Sequence, residues 1–255
     1  MWIDSVDKVS EVDRTETAVL SDLKNRIAEA GWGRAFLKRQ QPDGHWGRAF
    51  YQPKWTSSHY TLVDLRNLCI PATPEIKKAL ALILATSIGP DGGINPSKDI
   101  EQSDVCINGM FLNYGCFFGT DEEKLRSVVD FIISQQLADG GFNCRLNRSG
   151  ARHSSMHSTI SVLEGIREYI AAGYAFRAEE LNRIEGEAQE FLLRHRLFKS
   201  DHTGAVIHPI FLKLVYPPRW RYDILRALDY FQSVGYPYDE RLQDALDILK
   251  EKRLS

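Results

Sequence analysis

The chain has 255 residues, 43% of them hydrophobic and 26% charged, and its 32 basic and 34 acidic side chains leave a net charge of −2. A composition this apolar and this neutral excludes a disordered chain and an overall pull towards nucleic acid or an anionic membrane surface. The longest apolar run, Ala79 to Ala85, falls far short of the ~20 residues that a membrane-spanning helix needs, so no transmembrane span is expected.

Residues 1–20 read as an N-terminal helix or extension, and residues 1–13 are polar and acidic with nothing resembling a secretory leader. Ser21 to Arg39 is the first amphipathic segment, and Asp43-Gly44 is the first turn. The stretch from Gly44 to Phe50 has the only extended-strand character in the chain. A second helix is expected from Ser57 to Leu68. The pattern then recurs: Pro74 to Thr86, the turn Asp91-Gly92-Gly93, and Ser103 to Phe117; then Asp121 to Gln136, the turn Asp139-Gly140-Gly141, and Ser154 to Ile170. Gly44, Gly92 and Gly140 are each 48 residues apart. Asp followed by Gly makes a turn because Asp bonds its own backbone and Gly accepts positive φ. A looser fourth copy runs Ala178 to Phe198, Asp201-His202-Thr203-Gly204, and Trp220 to Val234, and Asp239 to Lys252 closes the chain as an outer-type helix.

The pattern predicts an all-α single domain over residues 1–255, with tandem helix hairpins at about 21–70, 71–118, 119–172 and 173–236 and a last outer helix at 237–255. Outer helices are amphipathic. Inner helices carry Gly109, Gly115, Gly165 and Ala171 among large apolar residues, as helices buried on several sides do. The first three inner segments open on serine, the expected N-cap chemistry. Hairpins of this kind stack into an open superhelix or close into a ring.

Gln40-Gln41-Pro42-Asp43-Gly44-His45-Trp46 resembles the Gln-x-x-Asp-Gly-x-Trp repeat of squalene and hopene cyclases, and Gln136 to Phe142 resembles the Gln-x-x-x-Gly-Gly-Phe form of protein prenyltransferase β subunits. The resemblance to this terpenoid cyclase and prenyltransferase superfamily covers about Leu23 to Leu254. It implies an α/α toroid of four to five helix pairs around an apolar cavity, with the glutamine and aromatic knitting each outer helix to its turn. Here the last outer helix has no inner helix after it, which leaves an open ring or a further repeat.

The resemblance also implies a site. Asp104-Val105-Cys106 resembles the Asp-x-Cys zinc pair of the prenyltransferases, and Met156-His157-Ser158-Thr159 the segment carrying their histidine ligand. Asp104, Cys106 and His157 would then hold Zn²⁺ with one position open to activate a thiol or water. The register agrees: His59, Cys106, His157 and Tyr222 each stand six residues before a leucine, which expects one polar layer across four inner helices. His59, Tyr222 and Asp223 are the catalytic candidates, with a helix cap as the plainer role for Asp223. Lys98, Arg148, Arg152 and Arg221 are the candidates for a diphosphate or other anionic group. Two family features are absent: the Asp-x-Asp-Asp acid of the cyclases, and the tyrosine after the cysteine, which is Ile107 here.

The expected function is binding of an isoprenoid or similar apolar substrate in a central cavity by a transferase or cyclase, with a helical partner subunit as in the prenyltransferases. The alternative is a non-catalytic toroid that binds a lipid or a protein. A sugar-active toroid needs paired acids, and the inner helices offer only Asp104 and Asp223. Cys69, Cys106, Cys116 and Cys144 show no paired spacing, and a chain of this size needs no disulfide staples, so reduced thiols in the cytoplasm are expected.

Overall fold

Helical periodicity in the sequence becomes helix in the structure, a computed structural model that describes residues 19–97 and 100–254, the side chains of residues 147, 148 and 254 excepted. The first amphipathic run divides in two, α1 over residues 19–29 and α2 (Gly31–Leu37), because Ala30 is extended and Gly31 takes a φ of +59°. There follow α3 (Ser58–Asn67), α4 (Pro74–Thr86), α5 (Val105–Phe117), α6 (Glu122–Ser134), the short α7 (Leu146–Ser149), α8 (Met156–Ala171), α9 (Ala178–Arg194), α10 (Ile224–Ser233) and α11 (Gln243–Leu254). The described residues form no β-strand, and Gly44 to Phe50 is a chain of turns and bends. No helix among them is long and apolar enough to cross a membrane.

The chain divides into two compact units after Ala79, within the sequence of α4. In the first, the Gln40 amide donates to the carbonyls of Gly44, at 2.9 Å, and Glu75, at 2.8 Å, so one side chain ties its own turn to the next outer helix. The indole N–H of the fully buried Trp46 reaches the Phe36 carbonyl at 2.8 Å. In the second unit Gln136 repeats the arrangement, donating to the Gly140 carbonyl at 3.0 Å and to the Glu187 carboxylate on α9 at 2.9 Å.

The turns repeat in atomic detail as well. Gly44, Gly92 and Gly140 all have φ between +82° and +100°, the left-handed region that glycine adopts at no steric cost. Each turn is gripped by one polar side chain of the following inner helix: Ser58 Oγ accepts from the Trp46 N–H at 3.0 Å, Asn108 Oδ1 from Ile94 at 2.6 Å, and Thr159 Oγ1 from Phe142 at 3.0 Å. Asp91 and Asp139 add a second clasp, each accepting the backbone N–H and the hydroxyl of a serine, Ser103 and Ser154.

Two expectations are corrected here. The serines that open the inner segments do not cap them: the N-caps of α3, α5 and α8 are Ser57, Asp104 and Ser155, each without a capping side-chain bond, and the hydroxyls of Ser57, Ser103 and Ser154 donate to the Lys54 carbonyl, Asp91 and Asp139. The repeat register also changes. The gripping residues Ser58, Asn108 and Thr159 are equivalent, so in the repeat Thr56, and not His59, corresponds to Cys106 and His157, two residues earlier in each case.

In the second unit, α5 and α8 share the most extensive packing. Gly109 and Gly165 permit it: a Cβ on Gly165 would lie 2.4 Å from the Gly109 carbonyl oxygen, and one on Gly109 2.5 Å from that of Ser161. α8 also packs on α9, α5 on α6, and α10 on α11. Phe111, Leu112, Ile160, Leu163, Ile184 and Leu192 are fully buried in this core.

Candidate functional site

The second unit gathers the first turns of α5, α8 and α10, and with them most of the residues singled out by sequence. Cys106, the second residue of α5, is half-buried, as is Cys144 in the loop after the third turn. The Cys144 sulfur accepts the Cys106 backbone N–H at 3.2 Å and the Ser158 hydroxyl at 3.4 Å, which brings the two cysteines together. The neighbouring Cys106 thiol, and then the Ser158 and backbone donors, pull the Cys144 thiol below the ordinary cysteine range. Cys106 moves the other way, held protonated by its bond to Cys144 and by burial.

His157, the second residue of α8, is fixed from the segment that leads into α10: the Tyr222 N–H donates to its Nδ1 at 2.7 Å, and the Phe211 and Trp220 rings pack edge-on at 5.5 and 5.1 Å. Burial, and then the positive charge of Arg226, hold this imidazole neutral down to about pH 4. An Nδ1 that accepts leaves the proton of the neutral ring on Nε2.

Tyr222 is buried, its hydroxyl donates to the Leu197 carbonyl, and burial raises the phenol well above its ordinary range. Asp223 caps α10: one carboxylate oxygen accepts the Arg226 N–H and the other the Val215 N–H, both at 2.9 Å. His59 lies in the first unit, fully buried against Phe50 and Tyr60, with burial lowering its pKa to about 3. Each of these three side chains is built into the fold around it.

Zinc does not fit the donor set expected for it. Among the described residues no group of three His, Cys, Asp or Glu is placed to hold a metal ion, and the chemistry of the site gives the reason. A zinc-bound histidine normally donates its second ring N–H to a partner, whereas His157 Nδ1 accepts a hydrogen bond from the Tyr222 backbone N–H. A neutral ring in that state has no lone pair left for a metal. Cys106 is turned to another cysteine, and Asp104 at 8% exposure is its neighbour at the helix start.

The anion candidates are less concentrated. Lys98 and the Arg148 side chain lie outside the described residues. Arg152 and Arg221 are exposed, the latter beside the Trp220 ring. The sequence reading missed Arg226, a buried cation whose guanidinium makes two bonds of 2.7–2.8 Å to Glu164 on α8 and further bonds to the Arg221 carbonyl and Ser161. Its signal was available: Arg226 is a charged residue on the same helical face as the apolar Tyr230, where an uncompensated charge is costly to bury.

Beside this cluster opens a cleft of about 610 Å³, within the size range of small-molecule sites. Met156, Phe191, Ala205, Val206, Ile207 and Phe211 form its apolar wall, and Ser154, Ser155, His195, Ser200, Asp201 and Thr203 its polar part. His195 donates from Nδ1 to the Phe191 carbonyl at 2.8 Å, which turns Nε2 towards Asp201 Oδ1 at 3.6 Å. Neither residue stands out as a site candidate in the sequence, where His195 falls at the end of an outer helix and Asp201 in the fourth turn. Comparisons of the chain with protein-family models, curated proteins and solved structures return no match.

Proposed function

We propose that the chain is an α/α toroid of the terpenoid cyclase and prenyltransferase kind that binds an isoprenoid or similar apolar small molecule, and that the ligand carries a hydroxyl rather than a diphosphate head. The observation that carries this reading is the cleft, whose lining combines the apolar Met156, Phe191, Val206, Ile207 and Phe211 with the His195–Asp201 pair. Val206 and Ile207 remain 43% exposed at its rim, apolar surface that a ligand would cover at roughly 25 cal/mol per Å² buried. A carboxylate in the polar part repels a diphosphate and accepts from a hydroxyl. The glutamine and turn contacts shared by the first and third repeats support the toroid, because each ties an outer helix to its neighbour in the chain.

Binding is the part of the expected chemistry that the geometry favours. The zinc-activated nucleophile has no matching donor set, so the reading is closer to a lipid-binding toroid than to a prenyltransferase. Isothermal titration of the full chain with farnesol and with farnesyl diphosphate tests it. Farnesol is expected to bind the more tightly, and Val206→Glu, at an exposed rim position, to weaken it at least tenfold. Equal affinity for the two, or farnesol binding untouched by Val206→Glu, would overturn the assignment.

A further inference from the structure

We propose that Cys106 and Cys144 form a redox-active dithiol, in which Cys144 reacts with a peroxide and Cys106 resolves the product to a disulfide. The two residues are 38 positions apart and come from different elements, the first turn of α5 and the loop before α7. Two hydrogen-bond donors meet at the Cys144 sulfur, the Cys106 backbone N–H at 3.2 Å and the Ser158 hydroxyl at 3.4 Å, so the backbone of one cysteine lies against the sulfur of the other. Thiolates accept such bonds better than thiols do, so the arrangement favours ionised Cys144. The Cys144 N–H in turn donates to Ser158 Oγ at 3.1 Å, which holds loop and helix together at the sulfur.

The chemistry balances with hydrogen peroxide as oxidant. The Cys144 thiolate attacks one peroxide oxygen, the O–O bond breaks, and hydroxide leaves, giving a sulfenic acid. The Cys106 sulfur then attacks the Cys144 sulfur; the S–S bond forms, the S–OH bond breaks, and the thiol proton leaves with the hydroxide as water. In sum two thiols and one H₂O₂ give a disulfide and two waters. The other cysteines lack this arrangement: Cys69 is exposed on the first unit, and Cys116 is buried with its thiol pushed well up by desolvation.

Treatment of the reduced full-length chain with equimolar hydrogen peroxide, alkylation of the remaining thiols, and tryptic mass spectrometry reads the outcome. The expected product links the peptide bearing Cys106 to that bearing Cys144, with fragment ions separating Cys106 from Cys116 on the same tryptic peptide. Cys106→Ser should abolish the link and let dimedone trap a sulfenic acid on Cys144. Ser158→Ala should slow alkylation of Cys144 severalfold at pH 7 and move its pH profile upward, a change that a merely structural hydroxyl would not cause. Recovery of Cys144 as an alkylated thiol after peroxide, a link through Cys116, or Cys69 reacting first would overturn the proposal. The wild-type measurement needs no variant to fold, and it does not depend on the ligand cleft.

Discussion

His59 and His157 are each the second residue of an inner helix, α3 in the first unit and α8 in the second, and burial keeps both neutral at physiological pH in different surroundings. His59 is sealed among the rings of Phe50, Tyr51 and Tyr60 at centroid distances of 4.9–5.4 Å, and burial alone depresses its pKa to about 3. His157 is partly open, held by a backbone N–H, and lowered to about 4 by burial and the Arg226 charge. One histidine is a core residue and the other a positioned polar group. Equal placement at a helix start therefore says little about chemistry until the neighbours are known.

The largest effect that separates them is packing. Removing the His59 ring by His59→Ala should cost about 3 kcal/mol, in the range of other large-to-small core changes, whereas His157→Ala should cost about 1–2 kcal/mol for a half-buried ring and the orphaned Tyr222 N–H. Urea denaturation reads both, and equal losses would dissolve the distinction.

Acid should sharpen it. Unfolded histidine takes up its proton near pH 6.5, while folded His157 does so only near 4 and folded His59 near 3. Below pH 6.5 the unfolded chain thus binds more protons, and stability falls as the pH drops. The His157 contribution levels off near pH 4 and that of His59 continues to about pH 3. In denaturant titrations against pH, His157→Gln should flatten the 6.5-to-4 portion of the wild-type curve and leave the remainder; no change in slope would argue against a neutral His157.

Smaller differences test the repeats. Gln40 makes two bonds to backbone carbonyls, whereas one partner of Gln136 is the exposed Glu187 carboxylate. Gln40→Ala should cost about 1–2 kcal/mol and Gln136→Ala about 1 kcal/mol or less, on the usual net worth of such bonds. Asp223→Ala should fall near 1 kcal/mol as a lost N-cap, measured by thermal melting; a far larger loss would mean that the Val215 contact outweighs the cap.

The legible part of this protein was local. Helix limits at Pro74 and Thr86 were read to the residue, and those of α5, α8 and α10 to within a few positions, because hydrophobic spacing and Asp-Gly turns act over a few residues. The knitting roles of Gln40 and Trp46 were legible too. The cap roles assigned to the serines failed, because Ser and Thr side chains near a helix start can serve the helix or a turn with similar chemistry. Cys144 and Arg226 went unseen for a related reason: their partners, Cys106 and Glu164, lie 38 and 62 positions away.

Sequence alone determined the helical hairpins, the 48-residue spacing of their turns and the left-handed glycines, since each depends on steric and hydrogen-bonding preferences of adjacent residues. Tertiary structure decided the chemistry of the polar groups: that Cys106 meets Cys144, that His157 accepts from Tyr222, and that Asp223 is bound to its own helix. The physical reason is that protonation and reactivity follow from the donors, acceptors and charges that surround a side chain, and folding brings these in from distant parts of the chain.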